Sequence, residues 1–583
     1  MAALALVGFV VPIAAAHHFG ALGIPRGDDW SYLRTLFHWT ESGELNFNHW
    51  VSMTLLGQLV MSAPLALFRP RAITPIQMLT ATLGFAALVM LLNTCRRITH
   101  NLWLSLGVAL AVAGGPLWGV LTVSYMTDVI AFSISLAAIA VGIRMANAPT
   151  ISVGRTAAVI ALGVWAYSIR EYAAIPSIAV VAVTLMRLRS GRCQQSGPTD
   201  PDDVERAKRK HDIKLIVVAG AIGLIAIGIE ILYWRTIPDA KNFALGLPTT
   251  HSVRLLVTKG SGIARLVGLA MTPLLLFFGP VRIVRRALAA RKDTTVFFIA
   301  FSAVVLGITG ASGPRIAFAG NYVVPNGALA RGVGRGFRPD VFPPTLWNGL
   351  IAIGTIGTVL LGLLALPIAM TIPTRIRQRN FEIRDHATAM LAFATTGYVG
   401  IYAAAALVGL PLYDRYALPL MALVGLLVAQ CLAMSNTTVD VQIPTELTHK
   451  PLDRTTSNRV VGIAAILAMA TLGTTYTLDA ASYDGARWRV AEATVKAGYS
   501  RRDIGGNFMW INYNAVEPSP HWRSGFCVTV TLLKGTKLPV GTIVVGRYRP
   551  PFNEPVVIAA VRQRSKCHGA NPAFPSAPLT TKT

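Results

Sequence analysis

The sequence predicts a polytopic α-helical membrane protein with about thirteen transmembrane helices and a small C-terminal extracytoplasmic α/β domain. The 583-residue chain is 53% hydrophobic and 14% charged, and it repeats apolar runs long enough to cross a bilayer. Its net charge of +26 comes mainly from basic residues in short loops between those runs. That distribution indicates cytoplasmic loops under the positive-inside rule and argues against a nucleic-acid partner.

The first apolar run, residues 3–24, is predicted to be a retained membrane span. Residues 14–17 resemble a signal-peptide cleavage site, but no basic residue precedes the run and it continues beyond that site. The first outer loop follows at residues 25–50, and residues 31–44 in it are predicted to form a helix lying at the membrane surface. Residues 51–68 are apolar but contain Gln58 and Pro64, and we expect them to be re-entrant or partly embedded.

The other spans are predicted where long apolar runs recur along the chain, and basic residues in the short connecting loops fix their orientation. An odd number of crossings then places the N-terminus in the cytoplasm and the C-terminus outside the plasma (inner) membrane. The long loops rich in aromatic, Gly and Pro residues fall on the outer side, where we expect the function to lie. The predicted spans are residues 72–93, 102–117, 129–145, 156–167, 172–186, 213–234, 263–281, 295–311, 348–370, 388–408, 416–434 and 460–476.

The composition changes near residue 478, which divides a transmembrane body, residues 1–477, from a C-terminal domain, residues 478–583. In that domain we predict a short helix at residues 487–497. Cys527 and Cys567 share this domain, and an oxidising compartment would favour a disulfide between them. Alternating patterns and turn signals predict strands at residues 526–532, 542–546 and 556–561.

Asp28 and Asp29 form an acidic pair just after the first span. In an apolar mouth, two adjacent carboxylates repel one another, which raises the proton affinity of one and suits a general base or a metal ligand. The alternative is structural, because an Asp at the start of a helix accepts backbone N–H bonds. Composition alone leaves both interpretations open.

Three further positions carry charge at predicted outer span ends. Asp128 follows Ser-Tyr-Met-Thr and is either a helix cap or a functional acid. The pairs Arg170-Glu171 and Asp414-Arg415 lie at outer turns, and each is either self-neutralising or presents a guanidinium to a phosphate. Two such pairs beside two acidic loops, all on one face, indicate a site for an anionic substrate in the membrane.

These motifs, in this order, resemble the GT-C superfamily of integral membrane glycosyltransferases. The resemblance rests on the acidic first loop, on Met126-Thr127-Asp128 at the start of a span, and on the segment Asp-Arg-Tyr-Ala-Leu-Pro at residues 414–419. It is nearest to the bacterial protein-mannosyltransferase and aminoarabinose-transferase branch. The tail motif Gly-Gly-Asn-Phe-Met-Trp at residues 505–510 also looks like the start of the outer domain in bacterial members.

The resemblance implies a sugar donor linked to polyprenyl phosphate, an acceptor in the cell envelope and a reaction on the extracytoplasmic face. Asp28 or Asp29 would act as the base of a single displacement that inverts the anomeric centre. Arg415 and Arg170 would neutralise the leaving phosphate. Asp128, Tyr416 and His49 complete the predicted substrate-binding set. A divalent metal is an open question, for which Asp29 and Asp128 would be the ligands.

Two other function classes compete with this one. A transporter or lipid flippase normally has repeat-related halves and charged groups at mid-membrane, and the sequence has no clear internal repeat. A polysaccharide polymerase or ligase would use arginines of a long outer loop, and one such loop carries Arg315, Arg331, Arg335 and Arg338. The sequence contains no P-loop or dinucleotide-binding glycine motif, which argues against an ATP-driven pump.

Overall fold

The computed structural model describes residues 1–148, 150–190, 203–241, 246–290, 317–328, 338–377, 383–437, 454–516, 525–563, 567 and 578–581. Within these residues, nine helices are long and apolar enough to cross a membrane, and four shorter apolar helices accompany them. The predicted class, a polytopic helical membrane protein with a small C-terminal α/β domain, is therefore confirmed. The predicted span at residues 295–311 lies outside the described residues, so the count of thirteen stays a prediction.

The helices that build the body are connected by short turns and caps. α1 and α2 are joined by one π-helical turn, Leu6–Val10, into a continuous apolar helix. The bounds are α1 Ala2–Ala5, α2 Val11–His18, α3 Asp29–Ser42, α4 Leu56–Phe68, α5 Ile73–Thr99, α6 Leu102–Ala113, α7 Trp118–Thr122, α8 Thr127–Ala146, α9 Val153–Tyr167, α10 Ile175–Ser190, α11 Asp203–Thr236, α12 Thr250–Phe278, α13 Pro280–Ala290, α14 Pro344–Arg377, α15 Ile383–Leu407, α16 Ala417–Thr437, α17 Arg454–Lys496 and α18 Phe508–Asn514.

The loop between α2 and α4 contains α3, the helix predicted at residues 31–44, which buries Trp30, Tyr32, Leu33 and Leu36. α4 follows it and is only 13 residues long. At 1.5 Å per residue it reaches about 20 Å, which is short of the ~30 Å hydrocarbon core. Its Gln58 is fully buried and donates to the Tyr125 carbonyl at 2.9 Å. The helix α6, which was predicted to cross, is shorter still with 12 residues, so the re-entrant or partly embedded placement of residues 51–68 stays a prediction.

A single helix, α17, joins the membrane body to the C-terminal domain. With 43 residues it is about 65 Å long, and it contains both the predicted last span and the predicted helix at residues 487–497. The sequence pattern divides it in two because Asp479 and Asp484 interrupt the apolar run. Both carboxyls are buried in the structure and paired with arginines from other segments, so the helix continues through them.

The C-terminal domain contains a five-stranded sheet with strand order β1-β2-β4-β3-β5. β2 and β3 pair antiparallel with β4, whereas the short edge strands β1 and β5 pair parallel with β2 and β3. The predicted strands are confirmed, and Val490 of α17 packs in the core of the sheet with Trp510. The strand bounds are β1 Ile504–Gly505, β2 Val528–Leu532, β3 Thr542–Tyr548, β4 Val556–Arg562 and β5 Leu579–Thr580.

The predicted bond between Cys527 and Cys567 is present in the structure, and it closes a loop with a sequence separation of 40 residues. Of the four cysteines that the structure describes, we expect alkylation of the denatured, non-reduced protein to modify Cys95 and Cys431, which are buried free thiols, but neither of the bridged cysteines. The two bridged peptides should migrate together until reduced. A loop of this length contributes about 3–4 kcal/mol in the chain-entropy treatment, so reduction should also lower the thermal stability of the domain. Alkylation of Cys527 and Cys567 without reductant would contradict the bond.

Candidate active site

Five of the predicted site residues meet at one end of the helices. Arg415 Nη1 lies 2.9 Å from Asp28 Oδ2, and Arg170 Nη1 lies 3.0 Å from Asp128 Oδ1. Arg415 Nε is 3.9 Å from Asp128 Oδ2, which links the two pairs. Tyr416 lies beside both arginines, with its ring centre 4.9 Å from the Arg170 guanidinium carbon. We call Asp28, Asp128, Arg170 and Arg415 the charged cluster.

The two adjacent acids of the first loop have different environments. Asp29 is fully buried, and its two carboxylate oxygens accept the backbone N–H groups of Arg26 and Tyr125. Burial raises the pKa of Asp29 well above its ordinary value, although both hydrogen bonds oppose that shift. The side chain of Asp28 is 28% exposed and makes no capping bond to α3. Only Asp28 therefore presents an accessible carboxylate to the charged cluster.

Asp128 lies in the first turn of α8, but it does not cap that helix. Its Oδ1 accepts hydrogen bonds from Arg170 at 3.0 Å and from the Tyr172 hydroxyl at 3.3 Å. Its Oδ2 is buried and has no hydrogen-bond partner among the described residues. The helix-cap alternative for Asp128 is thus not the one that the structure adopts.

In neither of the two charged turns does the arginine pair with the carboxylate next to it in sequence. Asp414 Oδ2 accepts three consecutive backbone N–H groups, from residues 321–323, at 2.6–2.9 Å. Glu171 Oε1 accepts the backbone N–H of Thr54 at 3.1 Å. Because each carboxylate holds a distant backbone segment, Arg170 and Arg415 pair with acids from other elements. Each turn therefore presents a buried guanidinium to the charged cluster.

Aromatic rings surround the arginines. Tyr172 and Tyr416 lie within 5.1 Å of the Arg170 guanidinium carbon, measured to the ring centres. Tyr402 stacks on Tyr416 at 5.6 Å. A ring face attracts a cation, and the low dielectric of such a wall strengthens every charge interaction inside it. The arginines consequently lie in a site suited to hold an anion.

Two tyrosines of the site escaped the sequence analysis. Tyr32 is one helical turn after Asp28, and this spacing could have revealed it. Tyr322 comes from a long loop with no recognisable motif, and its hydroxyl lies above Gly27, where an added Cβ would be 2.6 Å from it. Gly27 has φ of +62°, so both its backbone and the tyrosine exclude a side chain there. Burial raises the pKa of both tyrosines above its ordinary value.

His49 is not among the contacts of the charged cluster. Its Nε2 lies 3.1 Å from Asp239 Oδ1, and its side chain is 61% exposed. Its backbone N–H also donates to the Asp239 carbonyl at 2.8 Å. These contacts join the first loop to the segment that follows α11, so His49 has a structural partner outside the predicted substrate set.

The C-terminal domain holds the first loop from the opposite side. Arg26 Nε lies 3.0 Å from Asp484 Oδ2 of α17. Arg34 donates to the carbonyls that end α18, at 3.0 Å for Asn512 and 2.6 Å for Ala515. Trp30, which follows the acidic pair, packs with its ring centre 6.0 Å from that of Phe508. The loop that carries Asp28 is therefore fixed by both the body and the C-terminal domain.

Asp29 and Asp128 do not fit the metal site for which they were candidates. Both oxygens of Asp29 are taken by backbone N–H groups, and Asp128 faces two guanidinium groups that would repel a cation. Within the described residues no group of three or more His, Cys, Asp and Glu side chains could hold a metal ion.

Solved structures similar to the chain include the following three. The match to ArnT from Cupriavidus metallidurans in the apo state covers 96% of this chain and 98% of that chain, with 12% identity and a TM-score of 0.34. The same protein bound to undecaprenyl phosphate matches with 13% identity, 96% of each chain and a TM-score of 0.31. The archaeal oligosaccharyltransferase AglB from Archaeoglobus fulgidus, in complex with an inhibitory peptide and a dolichol-phosphate, matches with 12% identity, 88% of this chain, 61% of that chain and a TM-score of 0.33.

No family model matches the chain, and no curated protein matches it. The three structural matches are 12–13% identical to the chain. Their TM-scores are low, so the function has to be argued from the geometry of the charged cluster itself.

Proposed function

We propose that this protein is an inverting glycosyltransferase that moves a sugar from a polyprenyl-phosphate donor to a hydroxyl of a cell-envelope acceptor on the extracytoplasmic face. The observation that carries the proposal is the pairing of one accessible carboxylate, Asp28, with a buried arginine, Arg415, in an aromatic and apolar mouth. A base and an anion-binding group held side by side are what a displacement at a sugar phosphate requires.

In the proposed reaction, Asp28 takes the proton of the acceptor hydroxyl. The acceptor oxygen attacks the anomeric carbon from the face opposite the phosphate, the bond to phosphate breaks, and polyprenyl phosphate leaves with the bonding electrons. One displacement inverts the anomeric centre. Arg415 and Arg170 stabilise the negative charge that develops on the phosphate, and their buried positions make that stabilisation stronger than it would be in water.

The ion pair between Arg415 and Asp28, whose atoms are 2.9 Å apart, would have to open during the reaction, because a donor phosphate would compete with the carboxylate for the guanidinium. Asp128 keeps Arg170 in place through the 3.0 Å contact, so we assign it a positioning role.

The polymerase or ligase alternative relied on arginines of one long outer loop. Of these, the structure describes Arg338, which lies 2.6 Å from Asp479 and stacks over the Tyr483 ring at 3.8 Å. Those contacts tie the loop to α17, and they favour a structural role for this arginine. Arg315, Arg331 and Arg335 lie outside the described residues.

The function is tested with sealed membrane vesicles of known orientation that contain the wild-type protein or the Asp28→Asn variant. Supplied with radiolabelled sugars on polyprenyl phosphate, wild-type vesicles should release polyprenyl phosphate and label an envelope glycan, lipid or protein with inverted anomeric configuration. The outer face should support transfer, and the inner face should require permeabilisation. Movement of the intact donor across the bilayer without bond cleavage would instead support a flippase.

A further inference from the structure

An apolar groove lies on the membrane-facing side of the body, between α4, α9 and α11. Its volume is about 720 Å³, within the usual range for sites that hold small molecules. The lining residues recur every three or four positions on both long helices, so each helix turns one continuous face to the groove. On α11 that face consists of Ala219, Ile222, Gly223, Ala226, Ile229, Glu230 and Tyr233.

One end of the groove is polar. Glu230 is the only charged residue among those that line it, and its Oε1 is buried with no hydrogen-bond partner in the described part of the chain. Trp165, Ser168 and Tyr233 line the groove with it. Glu230 is six residues before the end of α11, which places it about 9 Å from the helix terminus and close to the depth of lipid headgroups.

The charge at this end distinguishes the groove from the charged cluster. Glu171 lies near enough to Glu230 to add a repulsive negative charge. Arg170, the neighbouring cation, is buried and paired with Asp128. No Lys or Arg is among the described residues that line the groove, so a free phosphate group would meet only the carboxylate of Glu230 here, whereas a cationic hydrogen-bond donor would supply the partner that Glu230 lacks.

We infer that the groove binds a membrane phospholipid whose headgroup carries a primary ammonium. Its hydrocarbon chain lies along the apolar face of α11 and α9, and its ammonium donates to Glu230. An ionisable group that faces lipid is costly unless it has such a partner. This site is separate from the charged cluster and does not depend on the proposed transferase activity.

Native mass spectrometry of the intact protein tests the inference, with phosphatidylethanolamine and phosphatidylglycerol of identical acyl chains as probes. Wild type should retain phosphatidylethanolamine over phosphatidylglycerol by at least about fivefold, or roughly 1 kcal/mol. Glu230→Gln should bring the ratio to within about twofold, because the amide lacks the charge that selects an ammonium. Asp212→Asn, which removes a carboxylate near the other end of α11, is the matched control and should keep the wild-type ratio.

A second variant tests whether the lipid occupies the apolar groove, independently of the contact between its headgroup and Glu230. Ala226→Phe fills the groove and should reduce retention of both lipids without changing their ratio. Equal retention of the two lipids by wild type, or an unchanged ratio in Glu230→Gln, overturns the inference. Asp28→Asn should keep the wild-type lipid ratio, so that a failure of the transferase proposal and a failure of this one give different results.

Discussion

Replacing Asp28 with Asn is expected to lower the rate of sugar transfer by about 10²-fold to 10⁴-fold, the usual contribution of a positioned general base. The amide keeps the shape of the side chain and can still accept a hydrogen bond from Arg415. It cannot accept the proton of the acceptor hydroxyl. Because the variant leaves the buried Arg415 without its charged partner, it should also unfold at a somewhat lower temperature, so the rate is compared per folded molecule.

Asp29→Asn is the matched control, and it should affect stability without affecting the rate per folded molecule. Both oxygens of Asp29 accept backbone N–H groups, so one of the two would face the NH₂ group of the amide, donor against donor. Leaving a buried donor unsatisfied costs about 1–3 kcal/mol. We expect a lower unfolding temperature and less folded protein, with a transfer rate per folded molecule close to wild type.

Rates normalised to folded protein, together with thermal unfolding of each variant, distinguish the two roles. A normal transfer rate in Asp28→Asn together with a large loss of rate in Asp29→Asn would show that Asp29, and not Asp28, is the base. Normal rates in both variants would leave the acidic loop with a structural role alone.

The acidic pair also illustrates what the sequence could and could not predict. Composition and order indicated that the first loop, Asp128 and the Asp-Arg-Tyr segment belong to one face, and the structure brings them together. The sequence could not distinguish Asp28 from Asp29. The difference depends on where α3 begins and on the backbone N–H of Tyr125, which is 96 positions from Asp29 in the chain. Contacts over such separations leave no local pattern.

The sequence also identified Arg170 and Arg415 as candidates, but it could not decide their role. Two Arg-acid neighbours at turns suggested either self-neutralised pairs or anion-binding groups. The choice depends on the backbone at residues 321–323 and on Thr54, which occupy Asp414 and Glu171. Alternation predicted the strands of the C-terminal domain well, because each strand has its own local pattern. The continuity of α17 was missed, because the partners of its buried acids, Arg26 and Arg338, are remote in sequence.

Arg415→Gln should lower transfer by about 10²-fold to 10³-fold, the effect of losing one preorganised group that stabilises transition-state charge. It should also weaken the binding of polyprenyl phosphate, since Arg415 is proposed to hold the leaving phosphate. Arg415→Lys keeps the charge but replaces the planar fork with a single ammonium, and we expect an intermediate rate. Arg501→Gln, which breaks the exposed pair with Glu492 in the C-terminal domain, is the control and should behave as wild type.

The double variant Asp28→Asn, Arg415→Gln separates chemistry from folding. Arg415→Gln alone leaves Asp28 without its partner and should lower the unfolding temperature, because removing one member of a buried pair exposes the cost of the other. Neutralising both residues should restore much of that stability while activity stays at or below that of the poorer single variant. If the double variant instead recovered transfer together with stability, neither Asp28 nor Arg415 would take part in the chemistry, and the proposed mechanism would be wrong.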